Sequence, residues 1–372
     1  MGIGAGISGL SWENLVMFMV GLFLIYLGIF KKMEPFLLIP IGFGVILANL
    51  PGAELVAYEP AGDIKGVLAL IYKYGISNSL IPLLIFLGLG ASVDFSPTIA
   101  RPISLLFGAA AQLGVFVTIM VALMFGFTPG EAASIGIIGG SDGPPTVYLT
   151  ARLAPQLLGP ITLAAYSYMA LVPIIQPPVI KLLTSRKERA ISMKPQIRSV
   201  SKLEQIIFPL LILIPSALLV PKAAPLLGML MFGNILRVSG ATERLSRSAS
   251  GVFLDVMTFL LGLCVGALMP AELFLRPQTL AILFLAAIAF TTCTAGGVLM
   301  AKFVNLFLKE PINPMIGAAG VSAVPMSARV VQKLGQEADP ENFLLMHAMG
   351  PNAAGVIATS VVAGLLLTLF GR

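Results

Sequence analysis

Charge is scarce in this chain. Asp, Glu, Lys and Arg make up only 11% of its 372 residues, where a soluble domain carries about 25%. With 57% hydrophobic residues and a mean hydropathy of +0.97, this excludes an ordinary soluble domain and indicates an all-α polytopic membrane protein. Histidine occurs once, at His347, and cysteine twice, at Cys264 and Cys293. All three lie in apolar runs, so neither a metal centre nor a disulfide framework is expected. The thiols read as small core residues. His347 reads as a packing or hydrogen-bonding group, with a proton relay as the alternative. No P-loop, GxGxxG turn or nucleophile elbow occurs, and no second, soluble domain. Residues 1–10 lack a basic n-region, so no cleavable signal peptide is expected. The formal net charge is +6, but the basic residues cluster between apolar runs. That pattern speaks of membrane topology and not of nucleic acid.

A helix needs about 20 mostly apolar residues to cross the hydrocarbon core. Crossings are expected near 15–30, 35–50, 79–94, 102–127, 157–181, 206–220, 223–237, 251–269, 278–307 and 342–370. The most basic loop, "TSRKERAISMKPQIRSVSK" at 184–202, carries Arg186, Lys187, Arg189, Lys194, Arg198 and Lys202. Placed in the cytoplasm, it puts Lys31, Lys32, Arg101, Arg244, Arg247 and Lys309 on the same side. The acidic loop with Glu54, Glu59 and Asp63 then falls outside, as do both termini. The same loop divides the chain into halves at about 15–183 and 206–370, joined by a linker at 184–205. The expected location is the inner (cytoplasmic) membrane.

Two segments, near 130–153 and 311–335, are too apolar for open loops and too rich in Gly and Pro for plain spans. Such backbone is tolerated at membrane depth only when buried in protein or lining a cavity. Both read as re-entrant or discontinuous helices. They also resemble each other: "IGIIGGSDGP" at 135–144 aligns with "IGAAGVSAVP" at 316–325, and Ile, Gly, Gly, Ser and Pro recur at identical spacing. Ser141 matches Ser322. Five expected crossings separate the helices before the two segments. An odd number turns the second copy over, which is the signature of inverted-topology repeats whose broken helices meet near the membrane midplane. Chance similarity between small-residue runs, which suit close helix packing, is the competing explanation. Each segment is followed by a helix with polar groups in mid-span: Tyr166, Ser167, Tyr168 and Gln176 after the first, His347 and Asn352 after the second.

Unwound backbone and half-helix ends offer oxygens and partial charges, and oxygen ligands suit a hard cation. Asp142 is the ionisable group at the first break. A charge at the bilayer centre costs roughly 2.5–3.5 kcal/mol on insertion scales, so it needs a partner or a function. Asp142, Ser141, Asn313, Ser322 and Asn352 form the candidate cage for Na⁺. Asp142 is also the first candidate for moving a proton. Asp is a favoured helix cap as well, and the two roles are compatible. Pro144 and Pro145 mark a helix start. Asp255 lies in an apolar run and is placed either on the same cavity or elsewhere. Lys302 can snorkel to the interface. Arg329 is placed either as a bidentate partner for an anion or as a positive-inside anchor. The residues alone thus lead to a cation-coupled transporter and do not name its driving reaction.

Three motifs extend this. "GIIGGSDGPPTVYLTARLAP", "NPMIGAAGVSAVPMSARVVQ" and "NFLLMHAMGPNAAGVIATSV" resemble the membrane β subunit of the sodium-pumping, biotin-dependent decarboxylases, which serve oxaloacetate, methylmalonyl-CoA and glutaconyl-CoA. The resemblance covers nearly the whole chain. It implies a subunit that takes carboxybiotin from a soluble partner, releases CO₂, consumes a proton and exports Na⁺. It also implies a carboxyltransferase or α subunit, a biotin-carrier domain, a small single-span γ or δ subunit, and a homotrimer of this chain within the complex. Residue by residue it carries over Asp142, Tyr168, Asn313, Gly317, Ser322, Arg329 and Asn352. Asp142, Tyr168 and Arg329 are implied in catalysis, Arg329 at the carboxybiotin, and the others, with Asp142 and Ser141, around Na⁺. Ser141 stands where the family often has Ala, and Pro145 doubles a single proline. A stand-alone Na⁺-coupled carboxylate symporter of similar architecture is the alternative. Substrate choice belongs to the α subunit.

Overall fold

A computed structural model of the chain describes residues 9–52, 57–58, 64–140, 142–193 and 198–371. Helices dominate, as the apolar runs require. α1 (Trp12–Phe30), α2 (Pro35–Ala48) and α3 (Val67–Ile71) lead into α4 (Leu80–Ser92), α5 (Ser104–Ala111) and α6 (Leu113–Met124). The first broken segment holds α7 (Pro129–Gly136), a 3₁₀ turn (Ile137–Gly140) and α8 (Gly143–Leu153). Then come α9 (Leu158–Ala170), α10 (Val172–Leu183), α11 (Lys202–Leu219), α12 (Ala224–Val238), α13 (Leu254–Ala267) and α14 (Pro277–Asn305). The second broken segment holds a 3₁₀ helix (Pro314–Gly320) and α15 (Met326–Ala338), followed by α16 (Leu345–Phe370). A two-residue antiparallel pairing, Ala57–Tyr58 with Ile64–Lys65, is the extended structure in the acidic loop; Glu54, Glu59 and Asp63 themselves lie outside the described residues.

Among the described residues, six helices are long and apolar enough to cross a membrane, or eight if each of two bent pairs is one span. The protein is therefore an all-α polytopic membrane protein. The count differs from the ten expected crossings for physical reasons. α2 has 14 residues and α12 has 15, short of the roughly 20 a full crossing needs. The span expected at 157–181 is bent by 67° between α9 and α10. Pro173 opens α10, and a residue without an N–H cannot continue the preceding helix. The span expected at 79–94 is likewise half of a pair bent by 63°. Its corner is Ser79, which takes a left-handed φ of 69°. The span expected at 251–269 starts after a π turn in which Gly251 leaves helical geometry.

Burial separates the helices. α16 and both broken segments sit in the main core, where Ile135, Ile137, Ile138, Met315, Ile316 and Ala318 are fully or almost fully buried. α11 buries only Pro209, and its outer face carries Leu203, Leu211, Leu218 and Leu219. The two cysteines are free and buried, as a core reading requires. His347 is buried, with Nδ1 3.5 Å from Nη1 of Arg101.

Candidate functional site

The site begins with a helix start that cannot be capped in the usual way. Asp142 is the N-cap of α8, in extended conformation, yet its side chain caps nothing. An N-cap side chain accepts from the N–H of the second or third helical residue. Here those residues are Pro144 and Pro145, which have no N–H. The backbone carbonyl of Asp142 accepts instead from Thr146, from its N–H at 3.3 Å and its Oγ1 at 2.8 Å. The side-chain capping role that the sequence allowed for Asp142 is thereby excluded, and the carboxylate is left to reach elsewhere.

It reaches the second break. Ser322 Oγ donates to Asp142 Oδ2 at 3.1 Å, and Ser322 N–H donates to Gly140 O at 3.0 Å. Both side chains are 5% exposed. The two broken segments thus meet, 180 residues apart in sequence. Ser141, expected beside them, lies outside the described residues.

A cavity of about 230 Å³ opens on this contact, lined by Glu34, Asp142, Tyr166, Asp255, Thr258 and Ser322, with apolar side chains around them. Tyr166 is 3% exposed, and its phenol end lies directly against Gly143. Any Cβ at residue 143 would overlap that ring, so this close approach requires glycine. Asp255, undecided from the sequence, is on the cavity wall. Glu34 was not singled out. It sits after "KKM" at the start of α2, with a left-handed φ of 38° that sequence reading has no means to anticipate.

The remaining expected residues are placed as follows. Tyr168 does not line the cavity; its hydroxyl donates to Leu283 O in α14 at 2.8 Å. Asn313 is fully buried. Its Oδ1 accepts from Met315 N–H, and its Nδ2 donates to the carbonyls of Arg189 and Ile191 at 2.8 and 2.9 Å. Asn342, which sequence reasoning missed, donates to the same two carbonyls. Gly317 packs backbone to backbone against Gly297 of α14, each leaving no room for a Cβ on the other. Asn352 Nδ2 donates to Ala319 O and Val321 O at 3.0 and 2.9 Å, and Gln176 Nε2 donates to Ala318 O at 3.1 Å. The carbonyls of the second break, expected to be free for a cation, are therefore largely held by amide side chains. The side-chain oxygens of Asn352 and Gln176 have no hydrogen-bond partner among the described residues. Arg329 is exposed in the first turn of α15 and does not line the cavity.

Chemically, the cavity combines carboxylates, hydroxyls and a phenol, and its lining has no Lys or Arg. That set favours a cation or a proton over an anion. Among the described residues, no three His, Cys, Asp or Glu side chains converge closely enough to hold a metal ion.

Comparison with known proteins agrees with this chemistry. Residues 13–370 match the family model described as the Na⁺-transporting oxaloacetate decarboxylase beta subunit. The chain is 52% identical to the methylmalonyl-CoA decarboxylase subunit beta of Propionigenium modestum, covering 98% of this chain and 97% of the relative. It is 52% identical to the subunit of the same name from Veillonella parvula, covering 99% and 96%. It is 49% identical to the oxaloacetate decarboxylase beta chain 2 of Salmonella typhi, covering 98% and 96%. The chain belongs to the family of beta subunits of Na⁺-transporting decarboxylases.

Proposed function

We propose that this subunit decarboxylates carboxybiotin presented by a partner subunit and couples that reaction to Na⁺ export. The observation that carries the reading is the contact between Asp142 and Ser322, made where two broken helices meet beside a polar cavity. In the reaction the N–CO₂⁻ bond of carboxybiotin breaks. The electron pair stays on the ureido nitrogen, CO₂ leaves, and one proton is taken up by that nitrogen. Asp142 is the source of that proton in this scheme, relaying it to the nitrogen through water, because it lines the cavity while the Tyr168 hydroxyl is committed to Leu283. Na⁺ arriving at Asp142 and Ser322 favours the ionised carboxylate, which ties ion occupancy to proton release. The unpartnered Asn352 oxygen and Ser141 are further oxygen donors, while Asn313 and Gly317 hold the second break in shape. Arg329 takes the anionic carboxyl group at the surface.

The two halves, 15–183 and 206–370, move against each other to alternate access. The complex includes a carboxyltransferase or α subunit, a biotin-carrier domain and a small single-span subunit, with this chain as a trimer. The test is Na⁺-stimulated decarboxylation by the complex captured on avidin from gently solubilised membranes. Asp142→Asn is expected to reduce it by more than about 100-fold, a loss of about 2.7 kcal/mol or more in transition-state stabilisation. Normal turnover in that variant removes Asp142 from the chemistry. Uptake of a labelled dicarboxylate by the chain alone, with no biotinylated partner, replaces the pump by a symporter.

A further inference from the structure

We infer that the cavity beside Asp142 is a cation vestibule, in which Glu34 and Asp255 at its wall and the Tyr166 hydroxyl near its floor receive a hydrated Na⁺ before it reaches Asp142. The inference deepens the proposed function and rests on it for the identity of the ion.

The first observation is charge. Glu34, Asp142 and Asp255 come from three different elements, and no Lys or Arg lines the space between them. Carboxylates in a low-dielectric cleft concentrate cations and repel anions. Carboxybiotin, an anion, is thus kept out of the space that admits Na⁺. Arg329, the cation proposed to hold it, lies outside this cavity. Ion and carboxyl donor then use separate entrances.

The second observation is independent of the acids. Tyr166 is 3% exposed and lines the cavity, pressed against Gly143. Its phenol oxygen lies where a Cβ at residue 143 would stand, which holds the hydroxyl at the cavity next to Asp142. A buried phenol hydroxyl normally finds a partner, and one aimed into a polar cavity calls for a ligand there. The third is size. About 230 Å³ holds several waters at roughly 30 Å³ each. Because the acidic groups do not converge on one point, an ion in this space keeps part of its water shell and sheds it only at Asp142 and Ser322.

Sidedness follows from the sequence. Glu34 comes just after Lys31 and Lys32, and Asp255 comes after Arg244 and Arg247. Both acids therefore lie towards the basic, cytoplasmic side, from which an exported ion must be loaded. Thr258, one turn along α13 from Asp255, supplies a further oxygen on the way in.

The experiment uses the complete complex and two readouts, equilibrium binding of ²²Na⁺ and the Na⁺ dependence of decarboxylation. Glu34→Gln and Asp255→Asn are each expected to raise the half-saturating Na⁺ by about tenfold in both readouts, equivalent to about 1.4 kcal/mol. Glu34→Asp, which keeps the charge, is expected to recover most of that loss. Tyr166→Phe keeps the ring against Gly143 and is expected to raise half-saturating Na⁺ by about threefold, while the KM for the decarboxylated substrate stays put. Unchanged half-saturating Na⁺ in both acid variants overturns the vestibule, as does a Glu34→Asp protein as impaired as Glu34→Gln. If the parent binds ²²Na⁺ and the acid variants weaken that binding, but no form shows Na⁺-dependent decarboxylation, the vestibule stands and the pump reading falls.

Discussion

The two broken segments share a skeleton of Ile, Gly, Gly, Ser and Pro, yet the protein uses them for different work. The first presents a side chain. Two prolines leave the Asp142 carboxylate without a helix to cap, and glycine at 143 lets Tyr166 close in beside it. The second presents backbone and is held still. Its carbonyls are taken by Asn352 and Gln176, its entry is tied through Asn313 to the linker, and Gly317 is pressed against Gly297. Among the described residues, Ser322 makes the hydrogen bonds from the second segment to the first, to Asp142 and to Gly140. Two segments can therefore be similar in sequence while one presents a carboxylate and the other the hydroxyl that holds it.

Matched glycine substitutions test that division with the largest effects. Gly143→Ala places a Cβ in the Tyr166 ring. The ring, a side chain, can swing away, so the fold is expected to survive. The cavity geometry is lost, and a misplacement of about 1 Å at a reaction centre costs on the order of 100-fold in rate. Gly317→Ala meets the backbone carbonyl of Gly297, which cannot swing away. Overpacking of that kind costs about 1–3 kcal/mol or more, and the melting temperature of the purified chain is expected to fall well below that of Gly143→Ala. The opposite ranking, with Gly143→Ala unfolding and Gly317→Ala merely slow, reverses the assignment of roles. Asn352→Ala comes next. It strips the donor from two buried carbonyls, Ala319 and Val321, and an unsatisfied buried group costs about 1–3 kcal/mol. Thermal unfolding in detergent reads this directly. Asn352→Asp keeps an oxygen but loses the amide donors, so it is expected to be no more stable than the alanine variant. A stable Asn352→Asp protein with altered Na⁺ dependence would instead make Asn352 primarily an ion ligand.

Much of this was legible beforehand, for reasons that differ by residue. Asp142 stands out because a lone carboxylate in an apolar, Gly- and Pro-rich run has few structural uses. The pairing of Asp142 with Ser322 is one position off the alignment, which matches Ser322 to Ser141 and Asp142 to Ala323, so the similarity of the two segments points to the neighbourhood of the contact and not to its partners. Which tyrosine faces the cavity was not legible. Residues 166 and 168 are two steps of about 100° apart on a helix, so only one can point inward, and an α9 buried on several sides gives no polar face to decide it. Glu34 was hidden because its reach depends on a left-handed backbone in a loop. The break between α9 and α10 was readable in Pro173 but was overruled by a continuous apolar run. The sequence marks Asn313 and Asn352 as oxygen donors, and in the fold the amide nitrogen of each also donates to two backbone carbonyls. Composition cannot distinguish the two ends of an amide.

The smallest predicted effect concerns how the second segment is anchored from outside the membrane. The linker helix Arg186–Arg189 is capped by Ser185 and Glu188, and Glu188 Oε1 lies 3.0 Å from Lys302 Nζ. Partial burial opposes ionisation of Glu188, but the Ser185 N–H and the Lys302 ammonium outweigh it and hold the carboxyl below its ordinary range. A depressed carboxyl pKa stabilises the folded state above the unfolded value of about 4.3 and loses that stabilisation as pH falls through the folded value. The pair is partly exposed, so it contributes roughly 0–1 kcal/mol. Its neighbours at Arg189 and Ile191 are the carbonyls that Asn313 and Asn342 hold. Glu188→Gln is therefore expected to leave turnover intact and speed hydrogen exchange of the linker amides only modestly at pH 6. In the parent, exchange corrected for intrinsic rate is expected to rise towards the variant's as pH drops below about 4. If the Gln variant instead loses Na⁺-dependent turnover at pH 6, the linker belongs to the moving machinery and the second segment is not the fixed partner.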